Sequence, residues 1–189
     1  MLWLWILIGV AALLLLLGVL GYNRLVRLRN EVDTGWANID VQLQRRADLI
    51  PNLVEAVRAY AAHERAVFDE VTRARTALQQ AGTPSRAAEA NEGLTAAIGR
   101  LFAVAEAYPD LEASENFLSL QEDLTDTEDK ISAARRYYNA TVMRFNTAVQ
   151  SLPWLLLAKP LAFREREFFS ARGDMSVPEV SFATDTPRT

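Results

Sequence analysis

The chain has 189 residues, a formal net charge of −4, no cysteine and a single histidine, His63. Its basic residues are scattered among acidic ones and form no cationic stripe able to neutralise phosphates, so nucleic acid is not an expected partner. The lack of cysteine excludes disulfides, thiolate metal sites and a cysteine nucleophile, and one histidine cannot supply a His–His metal pair.

Leu2 to Leu20 are uniformly apolar and carry no charge. At about 1.5 Å per residue such a helix spans roughly 28 Å, close to the hydrocarbon thickness of a bilayer. A core helix of a soluble domain would keep a polar face, and this run has none. Trp3, Trp5 and Tyr22 sit at its two ends, where amphipathic rings prefer the headgroup level, so they are the expected membrane-interface residues. A cleaved secretory signal fits poorly. No Lys or Arg precedes the run, its apolar core is too long, and Gly18-Val19-Leu20-Gly21 is a weak cleavage site. Residues 1–21 are therefore expected to be a retained transmembrane anchor whose first partner is the lipid bilayer. Arg24, Arg27 and Arg29 follow within ten residues, which places the C-terminal side in the cytoplasm and the N-terminus outside.

From Tyr22 to about Gln80 the only glycine is Gly35 and the only proline Pro51. Val32, Trp36, Ile39, Leu43, Ile50, Leu53, Val57 and Tyr60 recur in steps of three and four, with Arg46 as the one polar interruption. Such a stripe predicts one long amphipathic helix that buries a single face against other helices. Its 59 residues would reach up to ~90 Å if straight. Pro51 cannot donate to the carbonyl of Ala47 and its ring crowds that carbonyl, so a kink or short break is expected near residues 47–51, without a chain reversal.

Ala81-Gly82-Thr83-Pro84-Ser85 is the clearest loop, with Thr83 or Ser85 available to cap the helix that follows. That helix is expected from about Arg86 to Ala107, weakened by Gly93 and Gly99, and ended by Pro109, since the residue before a proline leaves the helical region. Ser114 is the expected cap of a third long helix. Phe117, Leu120, Leu124, Thr127, Ile131, Ala134, Tyr138, Thr141, Phe145, Ala148 and Leu152 mark its buried stripe. Glu122, Asp123, Asp126, Asp129 and Arg136 mark a solvated face. Beyond Pro153 the period dissolves. Trp154 to Leu157 reads either as a plug closing the bundle core or as an apolar segment returning to the bilayer surface, and it is too short to span. No strand pattern of useful length occurs, so the fold class is all-α.

Several segments carry a family resemblance: Tyr22-Asn23-Arg24-Leu25-Val26, then Gln42 through Glu55 (Gln-Leu-Gln-Arg-Arg-Ala-Asp-Leu-Ile-Pro-Asn-Leu-Val-Glu), then His63-Glu64. Ala105-Glu106-Ala107-Tyr108-Pro109-Asp110-Leu111, Asn116-Phe117, Leu120-Gln121 and Glu128-Asp129-Lys130-Ile131, with Arg135, Tyr138 and Asn139, complete the set. Together they resemble the LemA family of bacterial membrane-anchored proteins over residues 22–169. The resemblance implies a single N-terminal transmembrane helix in the inner (plasma) membrane. Behind it the resemblance implies a cytoplasmic antiparallel up-and-down bundle of three to four helices, of the four-helix type. It also implies a poorly defined molecular activity, with some relatives linked to membrane organisation or organelle formation and others encoded near membrane proteases. Residues 170–189 read as a disordered tail.

Candidate sites are polar rows rather than chemistry. Arg45, Asp48, Asn52 and Glu55 line one helical face beside the apolar stripe, and Glu128, Ser132, Arg135, Asn139 and Asn146 do much the same on the third helix. If these helices pack antiparallel, the two rows are expected to meet in a structural network that fixes register. A polar groove for a peptide or ligand is the functional alternative. His63-Glu64-Arg65-Ala66-Val67 lacks the second histidine of a zinc-protease helix, no Glu-x-x-His pair exists for a di-iron site, and no nucleophile turn or phosphate loop occurs. No catalytic residue, cofactor or metal is expected, and Glu55, His63 and Glu128 are the residues an unrecognised hydrolase would need. The expected function is a non-catalytic membrane scaffold acting by self-association, as a homo-oligomer, or by recruiting a membrane protein. The alternative is an adaptor that regulates a membrane protease or signalling enzyme.

Overall fold

The structure is a computed structural model that describes residues 1–171, and the described residues form six helices and no strand. Helix α1, Leu2–Arg58, joins the apolar run to the amphipathic stripe in one uninterrupted element. Residues 2–20 are bare, with the leucines between 48% and 79% exposed, and burial starts at Gly21 and is complete at Leu25. One helix long and apolar enough to cross a membrane is thus present among the described residues, and it continues directly into the bundle.

Of the kink or short break expected near Pro51, the break does not occur: α1 runs seven residues past the proline. Proline removes the amide that would bond the Ala47 carbonyl, and the structure supplies a substitute: Arg75 Nε donates to Ala47 O at 2.8 Å. The helix expected over 22–80 instead ends at Arg58. After a turn over residues 59–64, helix α2 (Arg65–Gln79) runs back along α1, with Arg58 over the Phe68 ring and Arg75 against Ala47. The portion of α1 beyond Tyr22 therefore reaches only about 55 Å, not ~90 Å. Tyr60 falls in the turn and is exposed rather than buried.

Helix α3, Pro84–Ala105, starts two residues earlier than expected, with Pro84 in the first turn and Thr83 as N-cap, its hydroxyl accepting from Arg86 N at 3.4 Å. It packs antiparallel on α2, tied by the Arg100 to Glu70 ion pair. Tyr108 ends this passage and Pro109 opens the four-residue helix α4 (Pro109–Glu112), so Pro109 separates two helices as expected. Ser114 holds the N-cap position of α5 (Glu115–Gln150), but its hydroxyl makes no capping bond. Helix α5 returns the chain towards the membrane: Arg45 meets Asp123 and Asp126, Trp36 meets Tyr138, and Glu31 meets Arg144. The buried stripe of α5 stops at Val149, and Leu152, expected inside, is 71% exposed because the helix has already ended.

The result is an antiparallel bundle with two levels. Far from the membrane end, α1, α2, α3 and α5 form four helices around Ile50, Leu53, Val71, Leu94, Leu101 and Leu111. Nearer the membrane end only α1 and α5 continue, around Leu25, Val32, Ile39, Val142 and Phe145, and the short helix α6 (Trp154–Ala158) packs on both. Of the expected disordered tail, all but Ser170 and Ala171 lies outside the described residues.

Candidate functional site

The two polar rows do not form one network. Arg45 reaches Asp123 at 3.6 Å and Asp126 at 3.8 Å, residues assigned to the solvated face of α5. Lys130 first and then Arg45 hold the Asp126 carboxyl below the usual carboxylate range. Asp48 accepts from Gln44 on its own helix, while Asn52 and Glu55 line a shallow outer cleft with Asn116 and Ser119. Ser132 accepts from Arg136 and Arg135 is exposed. The reason is rotation: a helix turns about 100° per residue, so Arg45, Asp48 and Glu55 sit at the exposed rim of the α1–α5 seam, where Arg45 meets the solvated face of α5 and Asp48 a partner on its own helix.

The residue that enters the seam is Arg46, the polar interruption of the stripe. It is 4% exposed, and its Nη1 lies 2.6 Å from Asn91 Oδ1 on α3 and 2.5 Å from Glu128 Oε2 on α5. Burial pulls its pKa down from the ordinary arginine value, and Glu128 opposes that shift. One guanidinium thereby ties three helices together, and its Nε has no partner among the described residues. Glu128 thus pairs with α1 as the rows predicted, but through Arg46 rather than Arg45.

The third arrangement was not foreseen. Residues 163–170 return as a strap over the membrane-proximal half of the α1–α5 groove. Phe163 is buried against Phe145 and Tyr22, with ring centroids 6.4 and 6.1 Å apart, and Arg29 lies over its face. Asn146 donates to Arg166 O at 2.9 Å and accepts from Arg166 N at 2.8 Å. Asn139 repeats the pattern with Phe169, donating to its carbonyl at 3.1 Å and accepting from its amide at 2.9 Å. Tyr138 OH donates to Glu167 O at 2.8 Å, Arg166 pairs with Asp33, and Phe169 packs on Trp36 at 6.4 Å. Burial, and then the Glu167 carboxylate, pushes the Tyr138 phenol up to about 12. Beside the strap, Asp33, Trp36, Tyr138 and residues 165–167 line a cleft of about 360 Å³ closed on its far side by Gly82, Thr83 and Pro84 of the α2–α3 turn. The hairpin of α2 and α3 and the strap therefore lie end to end on one face of the α1–α5 pair.

Asn139 and Asn146 were legible as polar positions beside the α5 stripe, but their partners were not. The strap has no helical or strand periodicity to mark it in the sequence. Of the residues expected at the membrane interface, Trp3 and Trp5 are 83% and 70% exposed, and Tyr22 touches the strap. At the same level α6 packs Trp154 beneath Arg24. His63 is exposed in the turn after α1.

A span-length apolar helix that continues as the first helix of an antiparallel bundle defines a membrane protein with an all-helical domain. The chain belongs to the LemA family, whose family model matches residues 35–182. It is 27% identical to the magnetosome protein MamQ of Magnetospirillum gryphiswaldense over 85% of this chain and 68% of that one. It is 26% identical to the magnetosome protein MamQ 2 of Paramagnetospirillum magneticum with the same coverage. Identity to the protein LemA of Metamycoplasma hominis is 25%, over 79% of this chain and 68% of the relative. None of these names is that of an enzyme.

Proposed function

We propose that this protein is a non-catalytic scaffold of the bacterial inner membrane, held by α1 with its N-terminus outside and its bundle in the cytoplasm, and acting through self-association. The observation that carries this reading is the unbroken passage of α1 from bare apolar surface to bundle core. An uninterrupted helix gives the bundle a fixed height and direction relative to the bilayer, which a flexible linker would not. The polar groups in the interior support it as well. Arg46, Asn91, Glu128, Tyr138, Asn139 and Asn146 are all engaged in holding helices or the strap, which is a structural use of their chemistry. The bundle meets the lipid at a second place: Leu152, Leu156 and Leu161 are 71%, 70% and 46% exposed around α6, beside the start of the bundle at Gly21 and Tyr22. These side chains lie in the headgroup region and seat the bundle against the membrane. The likeness to two magnetosome proteins supports a role in organising a membrane rather than in turnover.

The test is crosslinking in intact membranes. The expected product is a ladder of the chain with itself, whereas a stoichiometric heteromeric product without self-crosslinks would overturn the scaffold reading in favour of an adaptor. Because the chain has no cysteine, a thiol placed at Asn30 reports sidedness directly. It should resist an impermeant maleimide in intact cells and react after permeabilisation.

A further inference from the structure

The strap is held as a ligand would be. Each of two asparagines pairs with both the amide and the carbonyl of one strap residue, so the main chain is gripped at Arg166 and Phe169 whatever side chains lie between. The spacing matches an extended peptide. Asn139 and Asn146 are seven residues apart, about 10.5 Å along a helix, and the three residues from Arg166 to Phe169 cover that distance only if nearly fully extended. Strap side chains engage the groove at Phe163 in the Tyr22–Phe145 slot, Arg166 on Asp33 and Phe169 on Trp36, and Phe168 is partly buried against the core as well. Arg164, Glu165 and Glu167 are exposed.

We propose that the α1–α5 groove is a binding site for an extended peptide of the pattern aromatic-x-x-Arg-x-aromatic-aromatic, and that its occupant exchanges between copies, the strap of one chain filling the groove of its neighbour. This rests on the self-association reading above and supplies its contact. A second copy is the occupant because every copy carries the one sequence seen to fit, residues 163–169. Copies anchored by α1 hold their straps at one height above the bilayer, so a neighbouring strap arrives level with the groove. The strap joins the bundle only through residues 159–162, where Ala162 has a φ of 55°, a conformation that favours glycine and is relieved when the segment swings out. Every contact made within one chain is recovered between two, which is the condition for exchange of an identical element.

Gly82 and Glu165 line the same cleft on opposite sides and take no part in the pairing, and Gly82 has open space where a Cβ would stand. Differently tagged full-length chains, one carrying Gly82→Cys and the other Glu165→Cys, are co-expressed, and detergent-permeabilised membranes are treated with a short bismaleimide. A mixed-tag dimer is expected. It should fall at least about fivefold when Asn139→Ala and Asn146→Ala are added to the Gly82→Cys chain, with helical content checked by circular dichroism. Excess synthetic peptide spanning residues 161–171 should suppress the dimer equally, which leaves the chain itself unaltered. The proposal is overturned if the Gly82→Cys/Glu165→Cys double variant closes within one chain while the mixed pair gives no dimer. It is equally overturned if neither the asparagine changes nor the peptide reduces that dimer. Native mass spectrometry of the wild-type chain separates the two readings: oligomers without a mixed crosslink leave self-association standing and remove exchange, and a monomer removes both.

Discussion

Arg75 repairs at a distance what Pro51 breaks locally. Its Nε bond to Ala47 O replaces the intrahelical bond that proline cannot make, so a part-buried carbonyl stays satisfied and α1 passes through the proline. Arg75→Ala should therefore cost about 1–2 kcal/mol in the wild-type chain. In a Pro51→Ala background the restored amide can serve the same carbonyl, and the cost should fall to under about 0.5 kcal/mol, a coupling that a double-mutant cycle by urea denaturation in detergent measures. Arg46 presents the opposite asymmetry. Glu128→Ala strands a buried guanidinium and should cost roughly 3 kcal/mol, whereas Arg46→Met leaves a half-exposed carboxylate to water and should cost less, about 1–2 kcal/mol from the orphaned Asn91. Equal losses on the same denaturation curves would contradict this account of the pair.

At the scale of elements, contact between α1 and α5 depends on one small residue. A Cβ on Gly35 would stand 3.3 Å from Tyr138 Cα and 3.5 Å from Thr141 Oγ1, so Gly35→Leu should force the helices apart and cost at least about 1–3 kcal/mol. Gly93 lies mid-helix in α3 with open space around it, and Gly93→Ala should stabilise by up to ~1 kcal/mol. The strap brings a pH dependence. The folded state raises the Tyr138 phenol to about 12 from an ordinary value of 10, so the folded protein holds a proton that the unfolded chain gives up first. That contribution is fully present below pH 10 and is lost as pH rises from 10 through 12. At about 1.4 kcal/mol per unit it is on the order of 2–3 kcal/mol. Thermal melts of the wild type should steepen their decline with pH over that window, and Tyr138→Phe should flatten it.

For the whole molecule, the proposed seating of the bundle on the lipid rests on the exposed leucines of α6 and the residues after it. A thiol at Leu156 carrying an environment-sensitive fluorophore should report an apolar surround in nanodiscs and shift to an aqueous spectrum in the detergent-free bundle. The same label at exposed Leu118, on the first turns of α5 at the far end, should read aqueous in both. An aqueous spectrum at position 156 in nanodiscs would detach α6 from the membrane.

The apolar run, the helical class and most of the stripe were legible in the amino acids because each depends on local composition and period. Leu2–Leu20 has no polar face to hide, and Val32, Ile39, Leu43, Ile50, Leu53 and Val57 are buried as their spacing required, with Trp36 partly so. The reversal at residues 59–64 was not legible. Ala59-Tyr60-Ala61-Ala62 favours helix, and Val57, Ala61, Phe68, Val71 and Leu78 keep the three-and-four period across the turn, so the pattern of burial is the same whether the chain continues or folds back. The rescue of Pro51 by Arg75, the entry of Arg46 into the seam and the grip of Asn139 and Asn146 on the strap likewise join residues that lie 20 to 45 positions or more apart. Period tells which face of a helix avoids water. Which helix or strap covers that face follows from long-range packing, and only the assembled tertiary structure decided it.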